Sequence, residues 1–140
     1  ALDVAIEMGI EHGGWCPRGR LSEDGPIESK YELTEMDSKD YAKRTEQNVI
    51  DSDGTLIIYQ QRLQGGTLLT QKLAKRHAKP YFRIRIDAKT DVGRFLDWLE
   101  SNAIRVLNVA GPRASSHPGI AEQSADILRR LLLATPRFPE

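Results

Sequence analysis

A single cysteine, Cys16, stands in 140 residues, so an internal disulfide framework and a multi-thiolate metal site are both excluded. Net charge is also missing. Twenty basic residues balance twenty acidic ones, which removes the broad basic field of a non-specific nucleic-acid binder and leaves such a role dependent on a local patch. No apolar run approaches the roughly 20 residues that span a bilayer, and no basic-then-apolar signal segment opens the chain. A reducing cytoplasm is the expected home. Repeats and low-complexity tracts are lacking, no Ser, His, Asp order or close carboxylate pair marks a catalytic constellation, and His12 and His77 form no metal pattern with Cys16. The length suits one compact domain over residues 1–140.

What the chain does have is alternation of strand and helix. Leu2, Ala5, Ile6 and Gly9 have the spacing of a short helix with a glycine stop, whose preceding strand is expected ahead of Ala1. Gly13 to Thr34 is loop-rich, with one short strand expected within His12 to Cys16 and no regular element from Arg18 to Thr34. A helix is predicted from Ser38, its N-cap, with Tyr41, Thr45 and Val49 on one face and Asp51-Ser52-Asp53-Gly54 as its end. The apolar run Thr55 to Tyr59 lacks period-two alternation, as a strand covered on both faces should. A helix follows over Gly66 to Ala78, burying Leu69, Leu73 and Leu68. Tyr81 to Ile86 alternates Phe82, Ile84 and Ile86 against Arg83 and Arg85, which places it near a sheet edge. A helix over Thr90 to Asn102 carries Val92, Phe95, Leu96 and Leu99 on one face, a strand covers Ile104 to Val109, and a last helix after Pro118 carries Ile120, Ser124, Leu128 and Leu131. Crossovers of this length join parallel strands in the right-handed sense, so the expected fold is α/β, a three-layer Rossmann-like sandwich with a mostly parallel sheet.

In such a sheet the loops after the strand C-termini share one crevice, here Cys16 to Arg20, Gln60 to Thr70 and Ala110 to Gly119. The central candidate is Gly65-Gly66-Thr67, where a buried strand empties into a paired-glycine turn that starts a helix and leaves N–H groups and the positive helix end facing one spot. Thr67 and Thr70 either add hydroxyls to an oxyanion there or cap the helix. Asn108, Gly111 and Arg113 end the last strand with small residues and a guanidinium suited to phosphate or carboxylate. Ser116 or His117 reads as an N-cap for the final helix. Trp15, Arg18 and Arg20 either stack on a heterocycle and neutralise its tail, or plug the core and sit in solvent. Cys16 has no base beside it in sequence and is not expected to be a nucleophile. Arg44, Thr45 and Asn48 share a helix face, either above the crevice or as solvent pairs.

Taken together, Gly13-Gly14-Trp15-Cys16-Pro17-Arg18-Gly19-Arg20, Glu23-Asp24-Gly25-Pro26-Ile27, Tyr31-Glu32-Leu33-Thr34-Glu35, Arg44 to Val49, Asp51-Ser52-Asp53, Gly65-Gly66-Thr67 and Leu107 to Arg113 resemble the putative molybdenum carrier family. That family is similar to the circularly permuted SLOG branch of the Rossmann-like group that includes lysine-decarboxylase-like proteins. The match covers nearly the whole chain, and Gly-Gly-Trp-Cys-Pro is its specific block. The resemblance implies a non-enzymatic binding protein for a nucleotide or the phosphate-bearing pterin of the molybdenum cofactor, molybdopterin, in a homo-oligomer, with a molybdoenzyme as acceptor and neither membrane nor nucleic acid as partner. It also implies a Gly-Gly-Gln-Thr-Gly type loop just ahead of the helix that opens at Ala1, part of the phosphate cradle, which is either missing or lies ahead of Ala1. Related phosphoribohydrolases place a glutamate a few residues after their Gly-Gly-x-Gly-Thr turn. Thr70 and Gln71 stand there instead, which disfavours the alternative of a nucleotide-processing hydrolase; Glu46 or Asp53 would be its only nearby carboxylates.

Overall fold

A computed structural model describes residues 41–86, 89–111 and 119–135, together with Ala5, Met8, Gly13 and four two-residue strands. Ala5 is helical and buried, at the position where a first helix is expected. The short strands are β1, Trp15–Cys16, β2, Leu21–Ser22, β3, Gly25–Pro26, and β4, Thr34–Glu35. β1 pairs in parallel with β4, and β2 pairs antiparallel with β3. The expectation of no regular element between Arg18 and Thr34 is therefore corrected. A two-residue strand is too short to show any periodicity, and its only mark is a tight turn.

The remaining elements are α1, Tyr41–Ile50, β5, Gly54–Tyr59, α2, Gly65–Arg76, β6, Tyr81–Arg85, α3, Val92–Ser101, β7, Leu107–Ala110, and α4, Ile120–Leu133. β5, β6 and β7 form a parallel sheet in the order β6-β5-β7, so the continuous apolar strand lies in the middle and the alternating one at an end. Leu56 and Ile58 of β5 join Ile84, Phe95, Leu99, Ile104, Ile127, Leu128, Leu131 and Leu132 in one core, beneath α3 and α4. Side chains alternate along a strand, so Thr55, Ile57 and Tyr59 face the other way, towards the smaller cluster of Val49, Leu73 and Ala74 on α1 and α2. Helices thus cover both faces of the sheet, the three-layer arrangement expected.

An aromatic group ties α3 to β6: Phe82 meets the Phe95 ring edge-on at 5.6 Å, and Phe95 stacks near Trp98 at 5.9 Å. α3 begins at Val92, two residues after the expected Thr90, because Asp91 is the N-cap and its carboxylate accepts the Arg94 N–H at 3.1 Å. The strand expected from Ile104 starts at Leu107 instead. Ile104 is a fully buried plug at the end of α3, and the amides of Arg105 and Val106 bond a side chain rather than a neighbouring strand. Gly54 is glycine for packing reasons, since a Cβ there would collide with Ile104 Cδ1 and crowd the Trp98 ring. The Ser38 cap lies outside the described residues, whereas α4 begins at Ile120 with Gly119 as its N-cap, so the cap expected at Ser116 or His117 and the first-turn place expected for Pro118 are corrected.

Candidate ligand-binding site

Because β5, β6 and β7 run parallel, their C-terminal ends, Tyr59, Arg85 and Ala110, lie along one edge of the sheet. β5 and β7 are neighbours, with Ile57 level with Ala110, so the turn into α2 and the residue after β7, Gly111, open onto the same rim. α2 lies over β5 and reaches β7.

The turn is built by unusual backbone. Gln61 has φ 58, Gln64 is extended, and Gly65 has φ 54, a left-handed conformation that only glycine adopts without strain. A Cβ added at Gly65, Gly66 or Gly111 would meet no described atom within 4 Å. Among the described residues, packing therefore does not demand glycine at 66 or 111, and none of them crowds the head of α2. As at any helix start, the Gly65 and Gly66 N–H groups have no carbonyl four residues back to bond.

The two threonines close the turn from within. Thr67 Oγ1 donates to the Gln64 carbonyl at 2.8 Å and accepts the Gln64 N–H at 3.2 Å, while its own N–H points to the Gln64 carbonyl at 3.2 Å. Thr70 Oγ1 donates to the Gly66 carbonyl at 2.8 Å. Both hydroxyl protons are engaged in the helix. Anion donation in this conformation falls to the amides of Gly65 and Gly66.

Asn108 sits lower than the rim. Its Nδ2 donates to Thr55 Oγ1 at 3.2 Å, on the sheet face beneath α2, about 7 Å along the strand from Ala110. Gln71 shares the inner face of α2 with Thr67, Thr70 and Ala74, and its Oε1 is buried with no hydrogen-bond partner among the described residues. Sequence reasoning did not assign Gln71 a binding role; the only available signal was a polar residue at helical spacing from buried ones. Arg18 and Arg113 lie outside the described residues, as do Ser116 and His117. Arg44, Thr45 and Asn48 are half-buried on α1, which packs on α2.

The two carboxylates that a hydrolase would need stand at the opposite edge. Glu46 bonds His77 Nε2 at 2.9 Å and approaches Arg76 at 3.7 Å, at the C-terminal end of α2, a helix of 12 residues and about 18 Å. The His77 contact, more than the Arg76 charge, holds the Glu46 carboxyl below its usual range. Asp53 precedes β5 and accepts the N–H groups of Arg105 and Val106, each at 2.9 Å, which hold its carboxyl below the ordinary 3.8. Neither reaches the crevice at the strand C-termini. Among the described residues, no group of three His, Cys, Asp or Glu side chains is placed to hold a metal ion, and no helix is long and apolar enough to cross a membrane.

The sequence profile of the circularly permutated YpsA SLOG family matches residues 1–132. The chain belongs to this family. The crystal structure of the putative molybdenum carrier protein from Syntrophus aciditrophicus SB is similar at 45% sequence identity and a TM-score of 0.87, over 94% of this chain and 85% of that one. No functionally curated protein matches the chain. Membership agrees with the Rossmann-like, mostly parallel fold, and the family suspicion carried by the Gly-Gly-Trp-Cys-Pro block is upheld.

Proposed function

We propose that this SLOG-family chain is a carrier for a small phosphate-bearing ligand, molybdopterin or a nucleotide, held at the rim where β5 and β7 end. The observation that carries it is the clear space over Gly65 and Gly66 at the head of α2. There the positive end of a helix and two amides face a site that no described side chain fills, which suits a phosphate group. Thr67 and Thr70 keep the turn in shape, Gly111 lets the ligand approach the backbone of the next strand, and Asn108 sets the floor between β5 and β7. Arg113 and Arg18 supply guanidiniums for the remaining charge. The Syntrophus protein is described as a putative molybdenum carrier, and that likeness supports a molybdenum-bearing cargo, for which molybdopterin is the phosphate-bearing choice. Molybdenum would then arrive as part of that cargo, its pterin phosphate on the amides, and a molybdoenzyme would receive it.

Isothermal titration with molybdopterin, ADP and inorganic phosphate tests the reading. Heat is expected with at least one phosphate-bearing probe, competed by the others. No heat with any of the three would overturn it.

A further inference from the structure

Between Asp53 and Asp87, residues 54–86 carry seven of the chain's twenty basic residues and none of its twenty acidic ones, leaving thirteen basic against twenty acidic elsewhere. A chain without net charge thus contains one strongly positive unit, β5-α2-β6. The fold gathers five of these seven cations along one flank. Lys75 Nζ stands 5.9 Å over the Tyr81 ring, which sets the second half of α2 beside the start of β6. Lys72 lies one turn earlier on the same side of α2, and Arg83 and Arg85 follow Tyr81 in two-residue steps on one face of β6. Arg62 stands in the turn after β5, close to Tyr59, whose Cα pairs with that of Arg85. Arg62, Lys72, Lys75, Arg83 and Arg85 are all exposed, and β6 has no strand on its outer side among the described residues. The strip extends about 13 Å along β6. Glu46, which meets Arg76 and His77, faces α2 from α1 and is not part of it.

We propose that this strip is a docking surface for the acidic face of a partner protein. Charge complementarity selects the partner: clustered cations with no carboxylate in their own segment attract and orient an acidic surface, and they act chiefly on encounter rate and register. Among the described residues the strip is a sheet edge without walls, unlike the concave sites that hold small molecules. Single-stranded nucleic acid is disfavoured because it needs free aromatic faces for stacking, and the tyrosines beside the strip, Tyr59 and Tyr81, are both half-buried, Tyr81 beneath Lys75. Arg62 and Arg85 put one end of the strip at the crevice rim, so a docked partner lies beside the route a ligand would take. The docking itself rests on the charge layout and needs no occupant in the crevice.

The test is fluorescence anisotropy with a rhodamine-labelled peptide of alternating Glu and Ser, about 12 residues long, enough to span the strip when extended. An oligo(dT) of the same length and label is the second probe. The variants are Lys72→Glu with Lys75→Glu, and Arg83→Glu with Arg85→Glu; Arg130→Glu, at an exposed position of α4, makes the same kind of charge change elsewhere. The peptide is expected to bind at low salt and to weaken with added salt. Either double substitution should weaken it at least about tenfold, with Arg130→Glu nearly neutral. Three results would overturn the proposal: no peptide binding, peptide binding indifferent to both doubles, or tighter oligo(dT) binding that both doubles abolish. The doubles sit on separate elements, so one folded variant, checked by circular dichroism, suffices. Titration of the crevice probes into the same variants separates a failed strip from a failed carrier reading.

Discussion

Gly66 shows how one residue can separate folding from binding. Its φ is not left-handed and a Cβ there meets open space, so Gly66→Ala should leave thermal stability unchanged or raise it by up to about 1 kcal/mol, as removal of a helical glycine does. The methyl would stand where a phosphate approaches the amide. Calorimetry should therefore show weaker binding of the phosphate probes in a protein that melts no earlier. Asp53 makes the opposite case, a residue whose work is structural. Its folded-state pKa is depressed by the Val106 and Arg105 amides, so the stability it contributes is present above the unfolded value near 3.8 and is lost as pH falls through the lower folded value. Asp53→Asn should melt below the parent protein at neutral pH, and the gap should close as thermal melts are taken to acid. A constant gap across that range would contradict the assignment.

At the scale of elements, two helices end against local preference. α2 and α3 are followed by Ala78 with φ 53 and Ala103 with φ 50, and the next amides, Lys79 and Ile104, bond back to Ala74 and Leu99 at 2.9 and 3.0 Å. This is the left-handed helix stop that glycine usually occupies. Ala78→Gly and Ala103→Gly, both at exposed positions, are each expected to stabilise by about 1 kcal/mol, read as a rise in melting temperature. The same feature explains part of what the sequence left hidden. Without a glycine to mark the stop, the two helices are carried slightly too far, to Ala78 and Asn102 instead of Arg76 and Ser101, and the strand after α3 is started too early, at Ile104 instead of Leu107. β5 was legible because its apolar run is long and unbroken. β2 and β3 were not, because two residues cannot carry a period. Asp53 could not be read as a strand clasp, since its partners lie 52 and 53 positions away.

On the scale of the whole molecule, the sheet decides which sequence neighbours become spatial ones. The glycine turn was legible as a site because strand, glycines and helix start are contiguous in the chain. Glu46 and Asp53 also lie near that turn in sequence, yet alternation of direction carries them to the far edge, one helix length away. Glu46→Gln should accordingly leave the affinity for phosphate probes within about twofold by calorimetry, whereas a loss of binding would move the site to the α1 side. The positive unit from 54 to 86 escaped a reading based on total charge, since the surrounding acidic residues cancel it in the sum.

The clasp between Asp53 and the start of β7 also bears on the order in which the protein assembles. β5 reaches β6 across one helix and β7 across two, and each doubling of a closed loop costs about 0.6 kcal/mol more in chain entropy. β7 is therefore the later partner to dock and the earlier to loosen. Its last residue, Ala110, borders the crevice, so a molecule seated there bridges an early half and a late half of the fold. Occupancy would then register as slower amide exchange in residues 107–110 before anything changes in β6, a signature of cargo acting as a bolt on the final closure.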